Sequence, residues 1–194
     1  MAAIFQSLGR SVLAGFVLVV LIILFAGGAG RVGEHAWWAF VFRWLHVMSG
    51  VMWVGLLWYF NFVQIPSMPK IPDEQKPAIG KVIAPAALFW FRWAAVATLV
   101  TGLVLGSMNK YLAAALMLAP GLQAIGFGMW LGIIMAFNVW FIIWPNQKKA
   151  LGIVQVGAEA KARAARLAML VSRLNTMLSI PMLFCMVAQQ NGGL

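Results

Sequence analysis

The sequence predicts an all-α integral membrane protein, a bundle of about five transmembrane helices forming a single domain over residues 1–194. Three observations carry that expectation. The chain is 63% hydrophobic and only 9% charged, whereas soluble domains are about a quarter charged. Five apolar windows are long enough to cross a hydrocarbon core of ~30 Å. They fall at about Ser11–Gly30, Trp37–Val63, Ala84–Met108, Gln123–Trp144 and Ala165–Ala188. The basic residues sort to one side of those windows. Arg10, Lys70, Lys76, Lys81, Lys148, Lys149, Lys161, Arg163 and Arg166 share the N-terminal side, against Arg31 and Lys110 opposite. The positive-inside rule then places the N-terminus in the cytoplasm.

Each window has its own character. Ser11–Gly27 is longer than a signal-peptide core and only Arg10 precedes it, so it reads as a true first span. Without a polar side chain after Ser11, it suits a lipid-facing helix. The second span is the longest and is expected to tilt or protrude. Five prolines and the run KIPDEQK in Pro66–Pro85 predict an extended, partly ordered surface loop. Spans three and four carry Gly102-xxx-Gly106 and Gly128-xxx-Gly132, a spacing for close helix contact within a chain or between chains. Tyr111–Ala119, broken off by Pro120-Gly121, is either an interfacial turn or an early start of span four. That span ends with Trp140 and Trp144 as interfacial anchors and with Pro145 and Asn146 as a stop. Asn138 inside it should find a hydrogen-bond partner across a helix interface. Lys148–Arg166 reads as an amphipathic interfacial helix running into span five.

Composition also excludes. The net charge of +10 is accompanied by no nucleic-acid recognition motif, so basic loops meeting anionic lipid explain it better. The one cysteine, Cys185, allows no intrachain disulfide, CxxC or CxxCH. No hydrolase triad, phosphate loop or paired intramembrane carboxylate is present.

The chemistry-bearing stretch is AWWAFVFRWLHVMSGVMWVGLLWYFNFVQ, residues 36–64. His46 lies about ten residues into it, ~15 Å along a helix and so near mid-bilayer. Arg43, Gly50 and Trp53 share its face at −3, +4 and +7. Ionisable groups in hydrocarbon are functional candidates by default. From position alone His46 could be a packing residue, a proton relay, a metal ligand or a haem ligand. His35 is about three turns away, ~16 Å, too far to share one iron from the same helix. Arg43, Arg92 and Arg173 fall inside spans, while Glu34, Asp73, Glu74 and Glu159 all lie at span ends or in loops. The arginines therefore snorkel, meet an acid of another subunit, or bind the carboxylates of a cofactor. A haem with His46 as axial ligand, Arg43 and Arg92 on its propionates, and Gly50 and Trp53 beside the ring satisfies these residues together.

RWLHVMSGVMWVGLLWYFNFVQIP (Arg43–Pro66), FNVWFIIWPNQKK (Phe137–Lys149) and APAALFWFRWAA (Ala84–Ala95) resemble the membrane domain of PuuD-type bacterial urate hydroxylases. The resemblance covers roughly residues 37–180 and is weak in the first span. R-W-L-H followed by Trp53-x-Gly55 is similar, more distantly, to copper-resistance D proteins and to the haem-binding HemJ-type protoporphyrinogen oxidases. What the resemblance implies is a membrane module binding haem b at His46 in a bacterial inner membrane, apart from the cytochrome c domain that PuuD-type enzymes carry. Three functions follow as expectations. One is a haem-b redox or electron-transfer protein. Another is a non-catalytic subunit of a larger membrane complex or a homo-oligomer. The third is copper handling by His46, Met48, Met52, Met177, Met182 and Met186.

Overall fold

The computed structural model describes residues 2–193, and among them regular structure is helical, with no strand. Five helical segments are long and apolar enough to cross a membrane: α1 (Leu8–Phe25), α2 (His35–Lys70), α3 (Lys76–Met108), α4 (Gln123–Ala150) and α5 (Ala158–Asn191). A short helix, Leu112–Leu116, joins α3 to α4. The chain divides into two compact units, the first ending at Val41 and the second beginning at Phe42.

In the first unit α1 has no buried residue, as its uniformly apolar surface anticipates. It stops five residues before the expected Gly30, because Gly27 takes a left-handed φ of 72° that ends the helix at little steric cost. A 3-10 turn over Gly28–Arg31 follows, with an exposed Arg31–Glu34 ion pair at 3.3 Å.

The second unit is built on one apolar core. Trp53, Val54, Leu57 and Phe60 of α2 meet Leu88, Phe91, Ala94 and Ala95 of α3, Met135, Ala136, Val139 and Ile143 of α4, and Met182 of α5. α5 also turns Ser172, Asn175 and Ser179 inward, one face at helical spacing, and each finds a partner. Asn61 Nδ2 donates to Ser172 Oγ at 2.8 Å, and Trp58 Nε1 donates to Ser179 Oγ at 2.9 Å. The partner expected for Asn138 is Asn175: Asn138 Nδ2 donates to its Oδ1 at 2.8 Å, and Asn175 Nδ2 donates onward to the Met135 carbonyl at 2.9 Å. Such bonds average only ~0.6 kcal/mol in membrane proteins, but they choose which face of α5 points inward.

Two connections differ from expectation. Pro66–Pro85 is mostly helical, leaving only residues 71–75 between α2 and α3. Pro145 does not stop α4, which continues to Ala150. One device explains both. Wide π-helical turns span Tyr59–Gln64, Ile79–Ile83 and Asn138–Ile143, and each closes two residues before a proline: Pro66, Pro85 and Pro145. A proline inside an α-helix removes an N–H and drives its ring into the carbonyl four residues back. Here that carbonyl lies in the widened turn, which relieves the clash and lets the helix go on. Lys148–Arg166 is not one helix either. Gly152, at a φ of 76°, closes α4, and α5 begins only at Ala158.

Candidate functional site

The half of the second unit bearing Tyr111 and Asn191 holds a partly open cavity of about 580 Å³, within the range of small-molecule and cofactor sites. Its wall is mainly apolar. α2 contributes Arg43, His46, Gly50, Trp53 and Trp58; α3 contributes Thr98, Leu99 and Gly102; α4 contributes Met129 and Gly132; α5 contributes Met182, Met186, Gln190 and Asn191. The α2 face read from the sequence, Arg43–His46–Gly50–Trp53, is thus brought together on one cavity. It spans about three turns of uninterrupted α-helix, so its register is a local property.

What orients His46 comes from α3. The imidazole Nδ1 lies 2.9 Å from the carbonyl oxygen of Thr98. A carbonyl only accepts, so Nδ1 carries the hydrogen and the neutral ring keeps its lone pair on Nε2. Thr101 Oγ1 stands 3.4 Å from the same Nδ1. The ring fits against α3 because residue 102 is glycine: a Cβ there would sit 2.9 Å from His46 Cε1 and 3.1 Å from Nδ1. Position 102 is therefore a seat for the imidazole. The other glycines of the two Gly-xxx-Gly pairs do different things. Gly106 faces Leu112 and Tyr111, Gly128 faces Cys185 and Met186 of α5, and a Cβ at Gly132 would meet nothing within 4 Å.

Two more polar features belong to the cavity. Trp53 is only 1% exposed, and its Nε1 has no hydrogen-bond partner among the described residues. A buried donor left without a partner costs ~1–3 kcal/mol, so it marks a place for an acceptor. Arg43 and Tyr111 line the cavity together, and the guanidinium acts electrostatically on the phenol. Burial pushes the Tyr111 phenol above its ordinary range, and the nearby Arg43 charge opposes that in part.

Arg92 is not among the residues lining this cavity. It lies six residues from Thr98 along α3, ~9 Å, toward the end where α4 carries Lys148. Arg173 is exposed on α5. Of the methionines considered for copper, Met48, Met52 and Met177 are exposed, and only Met182 and Met186 share the cavity with His46. Among the described residues no group of three His, Cys, Asp or Glu is placed to hold a metal ion. Thr98, Gly102 and Met129 were missed from sequence. The available signal was the polar pair Thr98 and Thr101 beside a glycine within an apolar span.

The residues present fit a haem. His46 would offer Nε2 to a haem iron, its other nitrogen being held by a carbonyl, the usual outer-shell arrangement of a metal-ligating histidine. The cavity adds an apolar wall, and Arg43 and Tyr111 suit carboxylates.

Comparison with known proteins touches one end of the chain. Residues 122–192, which contain the whole of α4 and α5, match the model of the family described as Urate oxidase N-terminal. The stretch Phe137–Lys149 lies within that match, while Arg43–Pro66 and Ala84–Ala95 lie outside it. No curated protein and no solved structure matches the chain. The match links this chain to a urate-oxidase-related family through its last two long helices.

Proposed function

We propose that this chain is a multi-pass protein of a bacterial inner membrane, N-terminus in the cytoplasm, that binds a b-type haem at His46 and serves in electron transfer. The observation that carries the reading is the Nδ1–H···O=C bond from His46 to Thr98 at 2.9 Å, made on the wall of a cofactor-sized cavity. That bond selects the tautomer, holds the ring plane and raises the basicity of Nε2. Bound haem supplies one-electron redox chemistry. The protein's own residues do the rest. Gly102 lets the imidazole approach α3, Trp53 Nε1 offers a hydrogen bond inside the cavity, and Arg43 with Tyr111 receives carboxylates. Met129, Met182 and Met186 line the same cavity from α4 and α5, and a thioether of one of them would be available to the iron.

Absorption spectra of detergent-purified protein, oxidised and dithionite-reduced, test this for wild type and His46→Ala. A Soret and an α band present in the first and lost in the second are expected. A wild-type spectrum without them ends the haem reading.

A further inference from the structure

A second group of residues lies outside the cavity and has no role in the haem site. Arg92 is 9% exposed, and its Nε and Nη1 are buried with no hydrogen-bond partner among the described residues. Its guanidinium lies over the Trp144 ring, Cζ 3.4 Å from the centroid, and 5.9 Å from that of Trp140. Lys148 approaches the same Trp144 ring, Nζ 5.6 Å from the centroid. The indole Nε1 of Trp140 is also buried without a partner. Two cations therefore share one indole, with unfilled N–H donors around them.

No acid of the chain answers this charge. Among the described residues, Glu34, Asp73 and Glu159 each pair with a base three or four positions away, and neither Arg92 nor Lys148 is in an ion pair. Glu74 is exposed in the turn between α2 and α3. Cation–π contact covers only a face of the guanidinium. Its N–H groups lie in the plane of the group, where an oxyanion would satisfy them. A buried arginine with unfilled donors is costly, so a counter-charge from outside the chain is the way to satisfy it.

The position says which one. Trp144 precedes Lys148 by one helical turn, at the end of the second unit where Lys148, Lys149, Lys161 and Arg163 collect. In a membrane oriented by its basic residues, that is the level of the cytoplasmic headgroups, where tryptophan and basic residues meet lipid phosphate. We propose that Arg92, Lys148 and the Trp140 indole N–H form a binding site for the phosphate of an anionic phospholipid. The proposal rests on the membrane placement made above and is independent of haem.

The test uses the full chain in detergent, stripped of lipid. Flotation with phosphatidylglycerol/phosphatidylcholine vesicles first checks membrane association by itself, and failure there removes the placement. Native mass spectrometry then follows titration with phosphatidylglycerol, phosphatidylcholine or inorganic phosphate. Phosphatidylglycerol is expected to be retained at least tenfold more tightly than phosphatidylcholine. Arg92→Gln should abolish that preference, Lys148→Gln and Trp140→Phe should weaken it several-fold, and Arg173→Gln should leave it intact. Lys148→Gln and Trp140→Phe keep the test decisive should Arg92→Gln fail to fold. Equal retention of the two lipids overturns the proposal, as does an undiminished preference in Lys148→Gln and Trp140→Phe together. Saturation by inorganic phosphate with no phosphatidylglycerol retained overturns the lipid as the source.

Discussion

Gly102→Ala isolates the seat of His46. The new methyl would sit 2.9 Å from Cε1 and 3.1 Å from Nδ1, against an ordinary carbon contact of ~3.5–4.0 Å. The ring must withdraw by roughly 0.6 Å or more to reach that contact distance. Moved that far from α3, the Nδ1···O bond of 2.9 Å lengthens toward ~3.5 Å, beyond the useful range of an N–H···O bond. Loss of that bond costs ~1 kcal/mol and overpacking ~1–3 kcal/mol. The helix propensity gained from alanine returns at most ~1 kcal/mol. Gly106→Ala is the control: it lies on the same helix one turn on, and its Cβ would make contacts of 3.4–3.5 Å with Leu112 and Tyr111. The assay is haem retained per protein, the reduced spectrum and the thermal midpoint, measured for both variants. Gly102→Ala is expected to lower haem affinity by ~10–100-fold, the usual effect of losing an outer-shell partner of a ligand histidine. Gly106→Ala should resemble wild type. Equal behaviour of the two variants would refute the role given to Gly102.

Two further outcomes follow from the second unit. Gly126→Ala should destabilise the fold at or beyond the upper end of the ~1–3 kcal/mol typical of overpacking. Its Cβ would collide with the Ala115 carbonyl oxygen, which cannot retreat without dragging the Leu112–Leu116 helix. Thermal melts in detergent read this, and an unchanged midpoint would contradict the close approach of α4 to that helix. Tyr111 should ionise above the ordinary tyrosine range, because burial disfavours the phenolate. Removing the charge in Arg43→Ala should move it further up. An acid whose folded pKa is raised is ionised first in the unfolded chain, so stability falls as pH rises through the ordinary tyrosine range. The ultraviolet phenolate band, followed in a Tyr59→Phe background, measures both; a downward move on Arg43→Ala would show that the two groups do not interact.

The five long helices and the α2 face of Arg43, His46, Gly50 and Trp53 were legible in the sequence. Both depend on neighbours within a few turns, and helical periodicity carries that information. The inward partner of Asn138 was legible as a need but not as a residue, since any helix could have supplied Asn175. Gly-xxx-Gly spacing announced close approach without saying to what. Gly102 meets an imidazole, Gly128 meets α5, and Gly132 opens on a cavity. The prolines misled for a different reason. A break is the local rule, and the three π turns that absorb Pro66, Pro85 and Pro145 depend on the carbonyl register of the preceding turn.

By itself the sequence determined where the five apolar spans lie, which face of α2 holds ionisable groups, and that no acid falls inside a span beside Arg43, Arg92 and Arg173. Those follow from covalent order, helix pitch and composition. Only the tertiary structure decided that Thr98 and Gly102 hold His46, and that Arg92 leaves the cavity for Trp144. Pairing between helices depends on rotation and axial offset, which packing of the whole second unit sets and no local window contains.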